Sequence, residues 1–143
     1  MPRFERNTFM KKKSISVLNC LPLLLAVLLA VGVKTFFGPC VHEDGSFGVC
    51  HWAGQVLLGL GVVMSVQALC AVLIQKPGVR AGIYLSMLFS AALSIFTPGT
   101  LIILCSMPSM RCRALMQPAS IILSCLILLF SLINLIVEWK KKQ

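Results

Sequence analysis

From the N-terminus the chain alternates between long apolar stretches and short polar breaks. Four stretches carry no formal charge, at about residues 15–33, 53–74, 81–104 and 119–137. A bilayer core about 30 Å thick is crossed by roughly 20 mostly apolar helical residues. The pattern therefore predicts four transmembrane helices, the third interrupted by the Pro98-Gly99 pair. The fold class expected is all-α: an integral membrane four-helix bundle over residues 15–139, with basic tails at 1–14 and 140–143.

Composition agrees with the bilayer as solvent. Of 143 residues 58% are hydrophobic and 12% charged, and the mean hydropathy is +0.93. Soluble domains run at roughly 45–50% apolar and about 25% charged. The net charge of +9 does not point to nucleic acid, because the basic residues sit in short clusters beside the apolar spans instead of building one folded basic face. These clusters set the orientation. With the N-terminus inside, the inner side holds Arg3, Arg6, Lys11, Lys12, Lys13, Lys76, Arg80, Lys140, Lys141 and Lys142, and the outer loops hold only Lys34, Arg111 and Arg113. The positive-inside bias predicts that both termini are cytoplasmic. A cleaved signal peptide over the first stretch, with Ala30-Val31-Gly32 as its cleavage site, is the rival reading. The first apolar run is long for a signal core.

Helices in lipid approach closely where small residues recur every fourth position. The third span carries such a row, Gly82, Ser86, Ser90 and Ser94, and shorter rows occur at Ala26/Ala30, Gly61/Ser65 and Ser120/Ser124. These rows read either as the internal seam of the bundle or as a homodimer surface. Asn19, Gln67 and Asn134 fall in the inner half of the membrane and are expected to hydrogen-bond between helices. No Asp, Glu, Lys, Arg or His falls mid-span, which weakens the case for ion-coupled transport. Trp52 and Trp139, at opposite span ends, suit interfacial anchoring.

The two outer loops share a spacing. Thr35, Cys40, Cys50 and Gln55 are matched by Thr100, Cys105, Cys112 and Gln117, a Thr-x4-Cys-loop-Cys-x4-Gln pattern that occurs twice. Each copy links an outgoing helix to a returning one, which suggests two duplicated helical hairpins related by an axis along the membrane normal. Cys20, Cys70 and Cys125 lie within spans, where a thiol acts as a small hydrophobe. The four loop cysteines lie outside, where disulfides persist. The duplication favours Cys40–Cys50 and Cys105–Cys112 pairing, each closing its own loop. Staples of this length contribute roughly 2.5–3 kcal/mol each in the chain-entropy picture.

Three chemistries suit that loop cluster. The first is structural stapling, with no cofactor. The second is thiol–disulfide exchange at Cys40, Cys50, Cys105 and Cys112, tuned by Arg111, Arg113 and His51. That layout resembles bacterial quinone-linked disulfide-forming membrane enzymes, which implies a quinone as electron acceptor. Those enzymes carry Cys-x-x-Cys in the first loop, whereas nine residues separate Cys40 from Cys50 here. The third is Cu(I) held by thiolates, His51 and the thioethers of Met107, Met110 and Met116. The spacing matches no standard zinc pattern, and Cys50-His51 is only the second half of a haem-attachment motif.

The strings Cys50-His51-Trp52-Ala53-Gly54-Gln55 and Met110-Arg111-Cys112-Arg113-Ala114-Leu115 resemble the loop signatures of a prokaryotic family of small four-helix membrane proteins known as a domain of unknown function. The similarity spans about residues 15–137 and leaves the basic N-terminal stretch outside. It implies the four-helix architecture and brings no activity with it. Members of such families often neighbour membrane transport systems, which implies an accessory role beside an ABC-type transporter. The expected partners are the lipid bilayer and such a membrane protein.

Overall fold

The computed structural model describes residues 2–36, 48–104 and 112–143, with side-chain surroundings for 17–36, 48–104, 113–140 and 143. Within them the chain forms α1 (Pro2–Thr35), α2 (Val49–Leu73), α3 (Pro77–Phe96) and α4 (Gln117–Lys142), with a π-helical turn at Cys112–Met116 leading into α4. All four helices contain a stretch long and apolar enough to cross a membrane: Val17–Thr35, Val49–Leu73, Pro77–Phe96 and Arg113–Lys140. The residues expected as a basic tail at 1–14 belong, from Pro2 onward, to the same helix as the first span.

The helix ends follow local chemistry. Pro77 restricts the residue before it to extended backbone, and Lys76 has ψ 118°. Helix α2 has already ended at Leu73, so a three-residue turn at 74–76 returns the chain as α3. Pro77 then stands in the first turn of α3, where its missing N–H costs nothing. The third span is shorter than the apolar pattern suggested, because α3 stops at Phe96 and the stretch through Leu104 is a compact turn. Pro98 cannot continue the helix. Gly99, at φ 97°, reverses the chain in a region that side chains rarely adopt. The backbone groups freed there are taken up locally: Leu101 N–H donates to the Phe96 carbonyl and Ile102 N–H to that of Thr97, each at 3.1 Å.

Packing is most extensive within α1–α2 and within α3–α4, so the bundle is two hairpins laid against each other. The α1–α2 seam uses the small residues noted in the sequence. A Cβ added at Gly61 would lie 3.1 Å from both backbone and side-chain atoms of Ala30, and Ala26 and Ala30 are buried. Buried hydroxyls on α3 satisfy themselves along their own helix, Ser94 donating to the Ser90 carbonyl at 3.0 Å and Thr97 to that of Leu93 at 2.7 Å.

The burial patterns of the two hairpins also match under a register shift. Shifting α1 by 65 positions superposes its burial pattern on α3: Ala26 and Ala91, Leu29 and Ser94, and Val33 and Pro98 are buried, while Leu24 and Phe89, and Val31 and Phe96, are exposed. For α2 and α4 the shift that aligns the core is 63. It pairs Ala53 with Met116, Gly61 with Ser124, Met64 with Ile127, Ala68 with Ser131 and Ala71 with Asn134, all buried. The loop pattern uses a shift of 62, Cys50 to Cys112 and Gln55 to Gln117. The one-residue discrepancy arises between Cys112 and Met116, which is the π-turn. A π-turn accommodates an inserted residue within a helix. Gln55 and Gln117, equivalent by loop spacing, are therefore not equivalent in the bundle.

Close approach at Gly61 gives a testable contrast. Gly61→Val should destabilise the detergent-solubilised protein by about 1–3 kcal/mol through overpacking against Ala30. Gly59→Val, on the same helix but with nothing within 4 Å of its Cβ position, should leave stability unchanged. Unfolding curves of the two variants against wild type provide the measurement.

Candidate functional site

The densest polar cluster lies toward the end of the bundle that carries both termini, and it begins with a proline. Pro22 stands inside α1 and has no N–H, so the carbonyl four residues earlier, on Leu18, loses its helical donor. In hydrocarbon an unpaired carbonyl costs several kcal/mol. The Asn134 side-chain amide, from α4, donates to the Leu18 carbonyl at 3.1 Å. Asn134 is 1% exposed, so its burial and the repair of the proline break are one arrangement.

Beside this contact, the Tyr84 hydroxyl of α3 donates to Asn19 Oδ1 of α1 at 3.3 Å, and Tyr84 is fully buried. Asn19 and Tyr84 are equivalent under the shift of 65 that relates α1 to α3, so the repeat meets itself in this hydrogen bond. One turn closer to the termini, Arg80 of α3 and Glu138 of α4 form an ion pair at 3.1 Å, their side chains 11% and 2% exposed. Asn134 and Glu138 are four apart on α4, and Arg80 and Tyr84 four apart on α3. Helical spacing therefore stacks each pair on one face. Leu18, Asn19, Arg80, Tyr84, Asn134 and Glu138 thus tie α1, α3 and α4 together.

The interhelical role expected for Asn19 and Asn134 matches these contacts. Glu138 lay outside that reading because hydropathy ends the fourth span at Val137, and Arg80 entered only as a topological charge. The signal that could have found the pair is spacing: Glu138 follows Asn134 by one helical turn, and Arg80 precedes Tyr84 by one. Pro22 could have been read the same way, since an intramembrane proline announces an orphaned carbonyl one turn earlier.

The loop-end residues are less completely described. Cys40, Cys105, Met107, Met110 and Arg111 lie outside the described residues, as does the side chain of Cys112, so the expected Cys40–Cys50 and Cys105–Cys112 pairs fall outside them too. Cys50 lies in the first turn of α2 and is 1% exposed. His51 follows it, with its Nε2 3.5 Å from the Gln55 amide nitrogen and its ring edge-on to Trp52 at 6.1 Å. Lys34, His51 and Gln55 line a small cleft of about 70 Å³ between α1 and α2. Arg113 is exposed, and Met116 is fully buried in the core. Among the described residues no group of three His, Cys, Asp or Glu side chains converges on a metal-sized site. Trp52 and Trp139 stand 63% and 67% exposed at opposite ends of the bundle, where interfacial rings belong.

The row Gly82, Ser86, Ser90 and Ser94 does not form a single seam. Gly82 and Ser86 are exposed, Ser90 is half-buried and Ser94 is fully buried. The reason is geometric: with 3.6 residues per turn, each step of four drifts by about 40°. A row of four such positions starts outside the bundle and ends inside it.

The chain belongs to the family described as Domain of unknown function (DUF4418), whose family model matches residues 22–137. Neither a search of curated proteins nor one of solved structures gives a match.

The proline repair predicts a double-mutant cycle. Asn134→Leu should cost about 1–2 kcal/mol in the wild-type background. In a Pro22→Ala background, where residue 22 can donate to Leu18 itself, the same substitution should cost markedly less. Equal costs in both backgrounds, from unfolding titrations in detergent, would place the role of Asn134 elsewhere. For the ion pair, Arg80→Ala alone should be destabilising by about 3 kcal/mol, because it removes a cation 3.1 Å from the buried Glu138 carboxylate. The apolar double variant Arg80→Met/Glu138→Leu should recover most of that loss in the same assay.

Proposed function

We propose that this protein is a non-catalytic multi-pass component of a prokaryotic cell membrane, with both termini cytoplasmic and its two outer loops closed by Cys40–Cys50 and Cys105–Cys112. The observation that carries this reading is that three buried polar contacts tie one helix to another: Asn134 with the Leu18 carbonyl, Tyr84 with Asn19, and Arg80 with Glu138. Groups committed in this way hold helices together instead of presenting functionality to a substrate. The burial of Cys50 supports the same reading, because thiol–disulfide exchange requires an accessible sulfur. Lys76 and Arg80 lie at the end that carries both termini, and Lys34 and Arg113 at the opposite end. Together with the basic ends of α1 and α4, this distribution favours the cytoplasmic assignment of that end. A component of this kind acts through the proteins it contacts, and an ABC-type transporter is the partner suggested by association with membrane transport systems in such families.

The test is acid-trapped alkylation in intact cells with a membrane-impermeant reagent, followed by mass-spectrometric mapping of Cys40, Cys50, Cys105 and Cys112. The expected outcome is full oxidation within each loop, unchanged by mild external reductant. A mixture of reduced, oxidised and cross-paired forms would overturn the stapling assignment in favour of exchange-active thiols.

A further inference from the structure

The seam between α2 and α3 holds an open groove of about 470 Å³, running from Val66 to Ile74 on α2 and from Val79 to Ser86 on α3. The corresponding seam, between α4 and α1, carries larger side chains. It has Phe130 where α2 has Gln67 and Ile133 where it has Cys70, and Val17 and Leu21 where α3 has Gly82 and Ser86. Among the described residues, nothing lies within 4 Å of where a Cβ would stand at Gly82. Apolar walls without an occupant forfeit dispersion contacts on their open side. In a bilayer those contacts must come from lipid or from another protein.

The extent of the groove points to lipid. Val66 and Ile74 are eight residues apart, so the groove is about 12 Å long at the helical rise of 1.5 Å per residue. One leaflet's share of a hydrocarbon core about 30 Å thick is about 15 Å. The groove is therefore confined to one leaflet, on the side that carries both termini. At its deep end the Gln67 amide donates to the Ser86 hydroxyl at 2.9 Å, so these two polar side chains engage each other. Farther along, α3 exposes Phe89, Leu93 and Phe96. Their bulk leaves no continuous close approach for a helix that crosses both leaflets.

The mouth of the groove points to the kind of lipid. Lys76 stands in the turn between the lining residues Ile74 and Val79 and is exposed. The first turn of α3 contains no acidic residue, and Glu138 of α4 is engaged with Arg80. Apolar walls below a cationic mouth complement the two halves of one molecule, an acyl chain below an anionic headgroup. Basic pockets between helices on this side of a membrane bind such headgroups. We propose that the α2–α3 groove is a phospholipid site, in which one acyl chain lies along the walls and the anionic headgroup meets Lys76. The site does not depend on the redox state of the loop cysteines.

The test uses the full-length chain reconstituted in vesicles of equal parts phosphatidylglycerol and phosphatidylcholine, extracted in mild detergent and weighed by native mass spectrometry. Wild type should appear as a monomer retaining one phospholipid, with phosphatidylglycerol preferred by about fivefold, the effect of one lysine at the headgroup surface. Gly82→Leu fills the groove without touching any charge and should lower lipid retention by about tenfold. Its open Cβ position means that helical content and unfolding midpoint should stay at wild-type values. Lys76→Gln, in an exposed turn, should retain the two lipids equally. Gly59→Leu adds the same side chain at another open position and should behave as wild type. Retention that survives Gly82→Leu would put the lipid at the basic helix ends and overturns the proposal. Equal retention of the two lipids by wild type overturns it too, as does a lipid-free dimer, which would make the occupant a second copy.

Discussion

One orphaned carbonyl organises the closure of this bundle. Pro22 removes a backbone donor near the inner end of the first membrane-spanning stretch, Val17–Thr35, and lipid tails cannot replace it. The Leu18 carbonyl must be met by a side chain from another helix, and Asn134 meets it. That contact fixes α4 against α1 in both height and rotation. The Tyr84–Asn19 hydrogen bond and the Arg80–Glu138 ion pair then follow on the same faces, stacked by the four-residue spacing of each helix. The three contacts are individually modest, since interhelical hydrogen bonds in membranes average about 0.6 kcal/mol. They matter together because losing a partner from a buried polar group costs more than the bond contributes.

The architecture was legible in the sequence because its cause is simple. Four uncharged stretches of membrane length leave few alternatives, and the small residues Ala26, Ala30 and Gly61 pack as their spacing suggested. What escaped was whatever depends on pairing instead of composition. Hydropathy places Glu138 just outside the last span and treats Arg80 as a topological charge, so neither is considered as a partner for the other. The third span looked longer because residues 97–104 are apolar, although Pro98 and Gly99 turn them out of the helix. The row from Gly82 to Ser94 was ambiguous for a geometric reason, since it drifts from the surface into the core.

The repeat was half legible in the same sense. Loop spacing relates Gln55 to Gln117, yet the core of α4 is displaced by one residue from that register. The π-turn at Cys112–Met116 absorbs the difference. An inserted residue that forced a rotation of about 100° would have turned Ser120, Ser124, Ile127 and Ser131 away from the core. Wound into a π-turn, it leaves every later position on its original face. Gln117, just beyond the turn, stands where the first hairpin has Gly54: its amide nitrogen lies 2.8 Å from where a Cβ would stand at Gly99, a position open only because residue 99 has no side chain.

The two seams between the hairpins are filled unevenly, and chain connectivity accounts for which of them is open. Helices α2 and α3 are joined by three residues, so they remain neighbours whatever fills the space between them. Helices α1 and α4 have no such tether, and only side chains keep them together. The seam without a tether is accordingly the one that retains Phe130, Ile133 and Leu21 and carries the Asn134–Leu18 contact. The tethered seam could lose bulk at Gln67, Cys70, Gly82 and Ser86 without opening the bundle, because the turn at 74–76 bears the constraint that packing bears on the opposite side. A groove is thus cheapest where it is found.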